Sequence, residues 1–387
     1  MTRAIDDGSN EPGTHALLIG VGSYPYLHEG AKPEAERLPH HMKMGQLSSP
    51  PHSLKAFADW LADDAQGFHN ADRPLRSLEI LCSGAAPFAW GPPSQPALPI
   101  GRAEMANVRR AIIDWKARSS RNPENMTIFY FCGHGLQLSA SENSLLMEDF
   151  GSDHVDPMQH AVAFTGMRLG LQAQCAAKYQ LHFIDACRSQ PTDAFLDAYG
   201  ADSSGQRVIA GALSNAIRNR LTPVFFATGL LSAAYGQPGQ PSIFMQGMLK
   251  CFRGVGSREN ADHYAVIPEA IGEGINKCVE SLAFSKVPQF CQPQEAGHPF
   301  TFHRIRGNPE VLVKLFTRDE TQLPEAIFAH TREGTPNRVE LLPPQPTPWW
   351  VPLPLGRYLF EAVRSPDASP IGKTTRDVQP PVTQVSL

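Results

Sequence analysis

The chain has 387 residues, 42% of them hydrophobic and 19% charged. This is the make-up of a globular protein with a real core, long enough for two domains or one large domain with an appendage. With 34 basic against 38 acidic residues the net charge is −4, which excludes a chain built as a whole to bind nucleic acid or an anionic membrane. The N-terminal MTRAIDDGSNEPGTH has no apolar stretch behind its arginine, so it does not read as a secretory signal. No run approaches the roughly 18 apolar residues of a spanning helix. Seven scattered cysteines, an odd count, fit reduced thiols in a cytoplasmic protein.

In chain order, THALLIGVGSY predicts a short buried strand through Leu17, Leu18, Ile19 and Val21. Residues 24–51 are rich in His, Pro and Met without a period and read as a loop insert. HSLKAFADWLADDA predicts a helix capped by Ser53, with Leu54, Phe57, Ala58 and Leu61 on one face. SLEILCS predicts a second strand, and the proline-rich residues 87–99 a loop or extended linker. RAEMANVRRAIIDWKARS places Met105, Val108, Ile112, Ile113 and Trp115 at helical spacing. NMTIFYFCGHG gives a third strand, TGMRLGLQAQCAAKY a helix, residues 181–184 a fourth strand and TPVFFAT a fifth. Strands alternating with helices imply an α/β fold with a mostly parallel sheet covered by helices on both faces. Past about residue 298, FTFHRI, EVLVKLFT, RVELLP and RYLFEAV predict a small all-β domain over 299–364. Residues 365–387, polar and Pro-containing, read as a flexible tail.

A parallel sheet puts its chemistry at the carboxyl ends of its strands. FYFCGHG sets His134 between two glycines just past one buried strand, and LHFIDAC sets Cys187 just past the next. If those strands are neighbours, thiol and imidazole emerge at the same edge. This is the minimum kit for nucleophilic catalysis, since a thiolate attacks and an imidazolium protonates the leaving amine. Gly133 and Gly135 allow a sharp turn and free an amide N–H for an oxyanion.

An apolar strand followed by His134-Gly135, then a strand followed by DACRS at 185–189, resembles the caspase-like cysteine peptidases, and within them the metacaspases and prokaryotic caspase homologues. Cys187 follows His134 by 53 residues, against roughly 50 in the caspase signature. The strand at 16–20 and the later ATGLLSAAYG and SIFMQGML also resemble that family, so the likeness spans about residues 14–256 and one peptidase domain is expected over 1–298. The resemblance implies Cys187 as nucleophile, His134 as general acid–base, and the amides of Gly135 and Cys187 as oxyanion hole. By the same resemblance Asp185, two residues before the cysteine, receives a basic side chain, so cleavage after Arg or Lys is expected. The second acid that metacaspases offer after the fifth strand is missing, with Leu230, Leu231 and Ser232 in that region. Arg188 is expected to point away from the pocket. Residues 190–222 resemble the linker between the large and small parts of caspases and carry Arg207, Arg218 and Arg220, candidate sites of self-cleavage in a zymogen; a fixed helical insert is the alternative. The family works in regulated proteolysis, in cell death or, in prokaryotes, in defence against phage.

Taken singly, Cys187 reads as an inert buried thiol, and only with His134 and Asp185 does it read as a nucleophile. Cys132 reads as packing; a zinc ion on Cys132, His134 and Cys187 lacks a fourth ligand and paired spacing. Cys82, Cys175, Cys251, Cys278 and Cys291 read as core or surface thiols. IGVGSY lacks the third glycine and distant acid of a dinucleotide site, so no cofactor and no metal are expected. No stretch spells a calcium loop, and calcium activation stays open because some metacaspases need it. His40, His41 and His52 read as solvated. Trp349 and Trp350 read as β-domain core or as a binding surface. The expected partners are a protein substrate and an activator or regulator docking on the C-terminal domain, with neither nucleic acid nor membrane. The rival readings are a catalytically silent caspase-fold scaffold and a peptidase that cuts after Asp.

Overall fold

Three stretches, THALLIGV, MTIFYFCG and YQLHFIDA, have every residue buried. Such unbroken runs suit strands in the middle of a parallel sheet, where both faces are covered. The structure, a computed structural model, describes the chain apart from residues 1–2, 94, 140–141, 201–203, 210, 212–219, 230–236, 283–288 and 298.

The chain opens with β1 (Arg3–Asp6) and β2 (Thr14–Val21), and after a long loop forms α1 (Ser49–Ala62) and β3 (Leu75–Ser83). A hairpin, β4 (Ala89–Trp90) and β5 (Leu98–Pro99), precedes α2 (Met105–Ser119) and β6 (Met126–Gly133). The short strands β7 (Gly135–Gln137), β8 (Asn143–Leu146) and β9 (Ala161–Ala163) lead to α3 (Phe164–Gln174), β10 (Tyr179–Ala186) and α4 (Asp193–Tyr199). Next come β11 (Val224–Phe226), α5 (Ile243–Lys250), β12 (Ser257–Asn260), β13 (His263–Val266), α6 (Pro268–Leu282), β14 (Gln292–Gln294) and β15 (His303–Arg304). The chain ends with β16 (Glu310–Phe316), β17 (Ala326–Arg332), β18 (Arg338–Leu341), β19 (Trp349–Pro354), β20 (Gly356–Arg364), β21 (Pro370–Val378) and β22 (Val382–Ser386).

The central sheet runs β1-β3-β2-β6-β10-β11-β14. Its five inner strands are parallel and the two edge strands antiparallel. Period two sorts the side chains between the faces. Tyr130 and Phe183 meet Phe57 of α1 on one face. Phe129 and Ile184 join α2 and α3 on the other through Trp115, Phe164, Met167 and Leu171.

Several expectations need correction. The helix assigned a Ser53 cap begins at Ser49, with Pro50 and Pro51 in its first turn, where a missing N–H costs nothing. Ser53 lies inside it, and its Oγ accepts the Ser242 N–H at 2.9 Å. Ile113 is 44% exposed, off the buried face of α2. The linker contains a helix, α4, whose Thr192 cap accepts the Phe195 N–H. By contacts the chain divides into two compact units, 1–246 with 285–299, and 247–284 with 300–387. The second unit therefore takes in residues placed before 298 as well as those after it.

The expected flexible tail is instead two strands. β21 pairs antiparallel with β20, and β22 pairs parallel with β16. The sheets β19-β16-β22 and β18-β17-β20-β21 share one apolar cluster that includes Val313, Phe328, Phe360, Val378 and Val385. Trp349 packs against that cluster, while the Lys314 ammonium lies 5.0 Å from the Trp350 ring centre.

Candidate active site

β6 and β10 run parallel in register from Tyr179 opposite Met126 to Ala186 opposite Gly133. His134 and Cys187 are the next residues after the two strands, so both leave the sheet at one edge. The segments stay together past that edge: Gln137 N–H bonds to the Ser189 carbonyl at 2.9 Å. A side chain on Gly135 would force a shift, because its Cβ would lie 2.7 Å from the Cys187 carbonyl oxygen. Cys187 is half-buried, and none of the seven cysteines is in a disulfide.

His134 is held by the loop between β2 and α1. Its Nε2 lies 2.8 Å from the Gly45 carbonyl oxygen. A carbonyl can only accept, so Nε2 carries the proton and Nδ1 is the basic nitrogen. Burial pulls the imidazole below its ordinary pKa, with the Gly45 bond acting the other way. The His134 N–H donates to the Tyr24 hydroxyl at 2.7 Å, and the two rings lie 4.7 Å apart. Sequence reasoning passed over Tyr24 and Gly45, because nothing in the aperiodic loop marks either.

Asp185 lies opposite Cys132 in the strand register, two residues below the candidate pair. Its carboxylate is buried, and Oδ2 accepts from the Tyr130 hydroxyl at 2.8 Å and from the Ser242 hydroxyl. Ser242 Oγ also accepts the Met245 N–H at 3.0 Å, so it caps α5. Burial pushes the Asp185 carboxyl up to about 6, while hydrogen bonds from Ser242, Tyr130 and Cys132 hold it from rising further. The expected pocket carboxylate is thus roofed by two hydroxyls. Leu230, Leu231 and Ser232 lie outside the described residues.

Arg188 turns to the opposite face. Its Nε donates to Gln137 Oε1 at 2.9 Å and its Nη1 to Gln292 Oε1 at 2.6 Å, and the guanidinium lies 4.2 Å from the Phe226 ring centre. Its guanidinium is therefore turned away from Asp185, onto Gln137, Gln292 and Phe226. Of the candidate self-cleavage sites, Arg207 is exposed and Arg220 half-buried, while Arg218 lies outside the described residues. Among the described residues, no three His, Cys, Asp or Glu are placed to share a metal ion, and no helix is long and apolar enough to cross a membrane.

The caspase domain family matches residues 14–295. The chain belongs to the caspase domain family. The uncharacterized protein y4kE of Sinorhizobium fredii (strain NBRC 101917 / NGR234) is 27% identical over 253 residues, covering 62% of this chain and 69% of that protein. Two solved structures share 75–76% of the chain at a TM-score of 0.40: caspase-1 from Spodoptera frugiperda, 10% identical and 92% covered, and protein GSU0716 from Geobacter sulfurreducens, 15% identical and 95% covered.

Proposed function

We propose that this chain is a cysteine endopeptidase cutting proteins after Arg or Lys, with Cys187 as nucleophile and His134 as general acid–base. The reading rests above all on the register of β6 and β10, which end side by side with one candidate group at each end. Held at Nε2 by Gly45, His134 offers Nδ1 to the Cys187 thiol. The imidazole takes the thiol proton, and the thiolate attacks the scissile carbonyl. The backbone N–H groups of Gly135 and Cys187 receive the oxyanion. The imidazolium then protonates the leaving amine, and water, activated by the same imidazole, releases the thioester.

Asp185 supplies the preference for basic residues. A guanidinium or ammonium beside it would hold the carboxyl ionised below its present value of about 6. Exposed Arg207 is the best described candidate for self-cleavage in a zymogen. The thiolate chemistry requires a reducing compartment such as the cytoplasm, and the C-terminal β unit is the proposed docking site for an activator.

The test is turnover of fluorogenic peptides ending in Arg, Lys or Asp by wild type, Cys187→Ala and Asp185→Asn. Release after Arg or Lys should vanish with Cys187→Ala and fall at least 10-fold with Asp185→Asn. Release after Asp would overturn the specificity, and activity surviving Cys187→Ala would overturn the nucleophile.

A further inference from the structure

Tyr24 and Gly45 both hold His134, and they are also tied to each other. The side chain of Gln46 closes on the backbone of Tyr24: its Oε1 accepts the Tyr24 N–H at 2.7 Å, and its Nε2 donates to the Tyr24 carbonyl at 3.0 Å. The same Nε2 donates to the His28 carbonyl at 3.2 Å. One residue on, the Leu47 N–H donates to the Gly22 carbonyl at 2.8 Å, so the loop that follows β2 returns to its own start. These bonds fix where the Gly45 carbonyl stands.

Tyr24 adds a second fixed point. Its side chain is fully buried, and three hydrogen bonds form a closed circuit around the backbone of His134. The His134 N–H donates to the Tyr24 hydroxyl at 2.7 Å, that hydroxyl donates to the Leu146 carbonyl at 3.3 Å, and the Leu146 N–H donates to the His134 carbonyl at 3.0 Å. Burial keeps the phenol well above its ordinary pKa, so it remains a neutral donor. Gly133 is part of the same fit, since a Cβ there would meet the Tyr24 hydroxyl at 2.7 Å.

We propose that Tyr24 and Gln46 are positioning residues for His134: Tyr24 fixes the backbone and ring, and Gln46 fixes the Gly45 carbonyl that selects the tautomer with its proton on Nε2. A histidine that serves Cys187 must present a lone pair at one particular nitrogen, and an imidazole free to exchange tautomers presents it only part of the time. The loop, featureless in sequence, thereby becomes part of the machinery. The proposal deepens the peptidase reading, and its kinetic arm rests on that reading.

The experiment compares wild type with Tyr24→Phe and Gln46→Ala, the second touching only an exposed side chain, so that a readout remains should the first variant fail to fold. Tautomers are read by NMR on isotope-labelled histidine, with the His134 signal assigned by its loss in His134→Gln. The wild type should show a single Nε2–H form, and both variants a mixture. On an Arg peptide kcat should fall about 10- to 100-fold while KM stays within about 2-fold. A general loss of stability would not mix tautomers in the molecules that remain folded. A single Nε2–H form in both variants, or wild-type kcat in both, would overturn the proposal. If the wild type cleaves no peptide, the peptidase reading loses support, but the tautomer spectra still decide the positioning role.

Discussion

A methyl group on Gly135 would stand 2.7 Å from the Cys187 carbonyl oxygen, and the atom it meets is backbone, which has little freedom to retreat. Gly135→Ala should therefore shift the main chain at Cys187 by several tenths of an ångström. We expect kcat on an Arg peptide to fall about 10- to 100-fold, with a stability loss of about 1–3 kcal/mol in a urea melt. Unchanged values in both would mean that the two strand ends are not tightly apposed. At this scale, His134 and Cys187 were legible in the sequence because each closes an unbroken apolar run, and the end of such a run can be read within one segment. Gly45 and Tyr24 were not, because their bonds to His134 bridge 89 and 110 residues. Asp185 was half legible: its place on the strand follows from spacing, whereas its Ser242 roof comes from 57 residues further on.

The strands β21 and β22 show why whole elements escape a sequence reading. PIGKTTRDV has most of its side chains in or near solvent, and VTQVS buries one of five. Neither offers the apolar run that marks β6 or β10, so only the β preference of Thr and Val hints at them. The partner strands decide the matter, with β22 covering one side of β16 and Val385 entering the shared cluster. Val385→Ala should cost about 2 kcal/mol in chemical unfolding, as removal of buried methyl groups does. Lys373→Ala on β21 loses a surface pair with Glu361 and should cost under about 1 kcal/mol. Equal small effects from both would return these residues to the loose tail that their composition suggests. The five inner strands of the central sheet, by contrast, were readable one by one, because burial on both faces writes itself into each segment, whereas the largely exposed edge strands β1 and β14 were not.

Across the molecule, buried ionisable groups set an acid limit. Burial holds His15 at about 4 and His182 at about 3, and raises Asp185 to about 6. Between pH 6 and 4 the unfolded chain protonates both histidines, which the folded state keeps neutral, so each lowers stability as pH falls. Asp185 acts in the opposite sense, since the folded state holds a proton there that the unfolded chain has released. The three together leave one net proton taken up on unfolding, a stability slope of about 1.4 kcal/mol per pH unit. His182 lies against the rings of Phe129 and Phe164, so His182→Phe should keep the packing and flatten the slope. Urea melts from pH 4 to 6 measure it, and an unaltered slope would remove His182 from the account. The bond from Arg188 to Gln292 has a consequence in time as well as in space, for its partners lie 104 residues apart. A ribosome finishes the strand that leads to Cys187 well before it makes residue 292, so the growing chain carries Cys187 through about a quarter of synthesis without this brace.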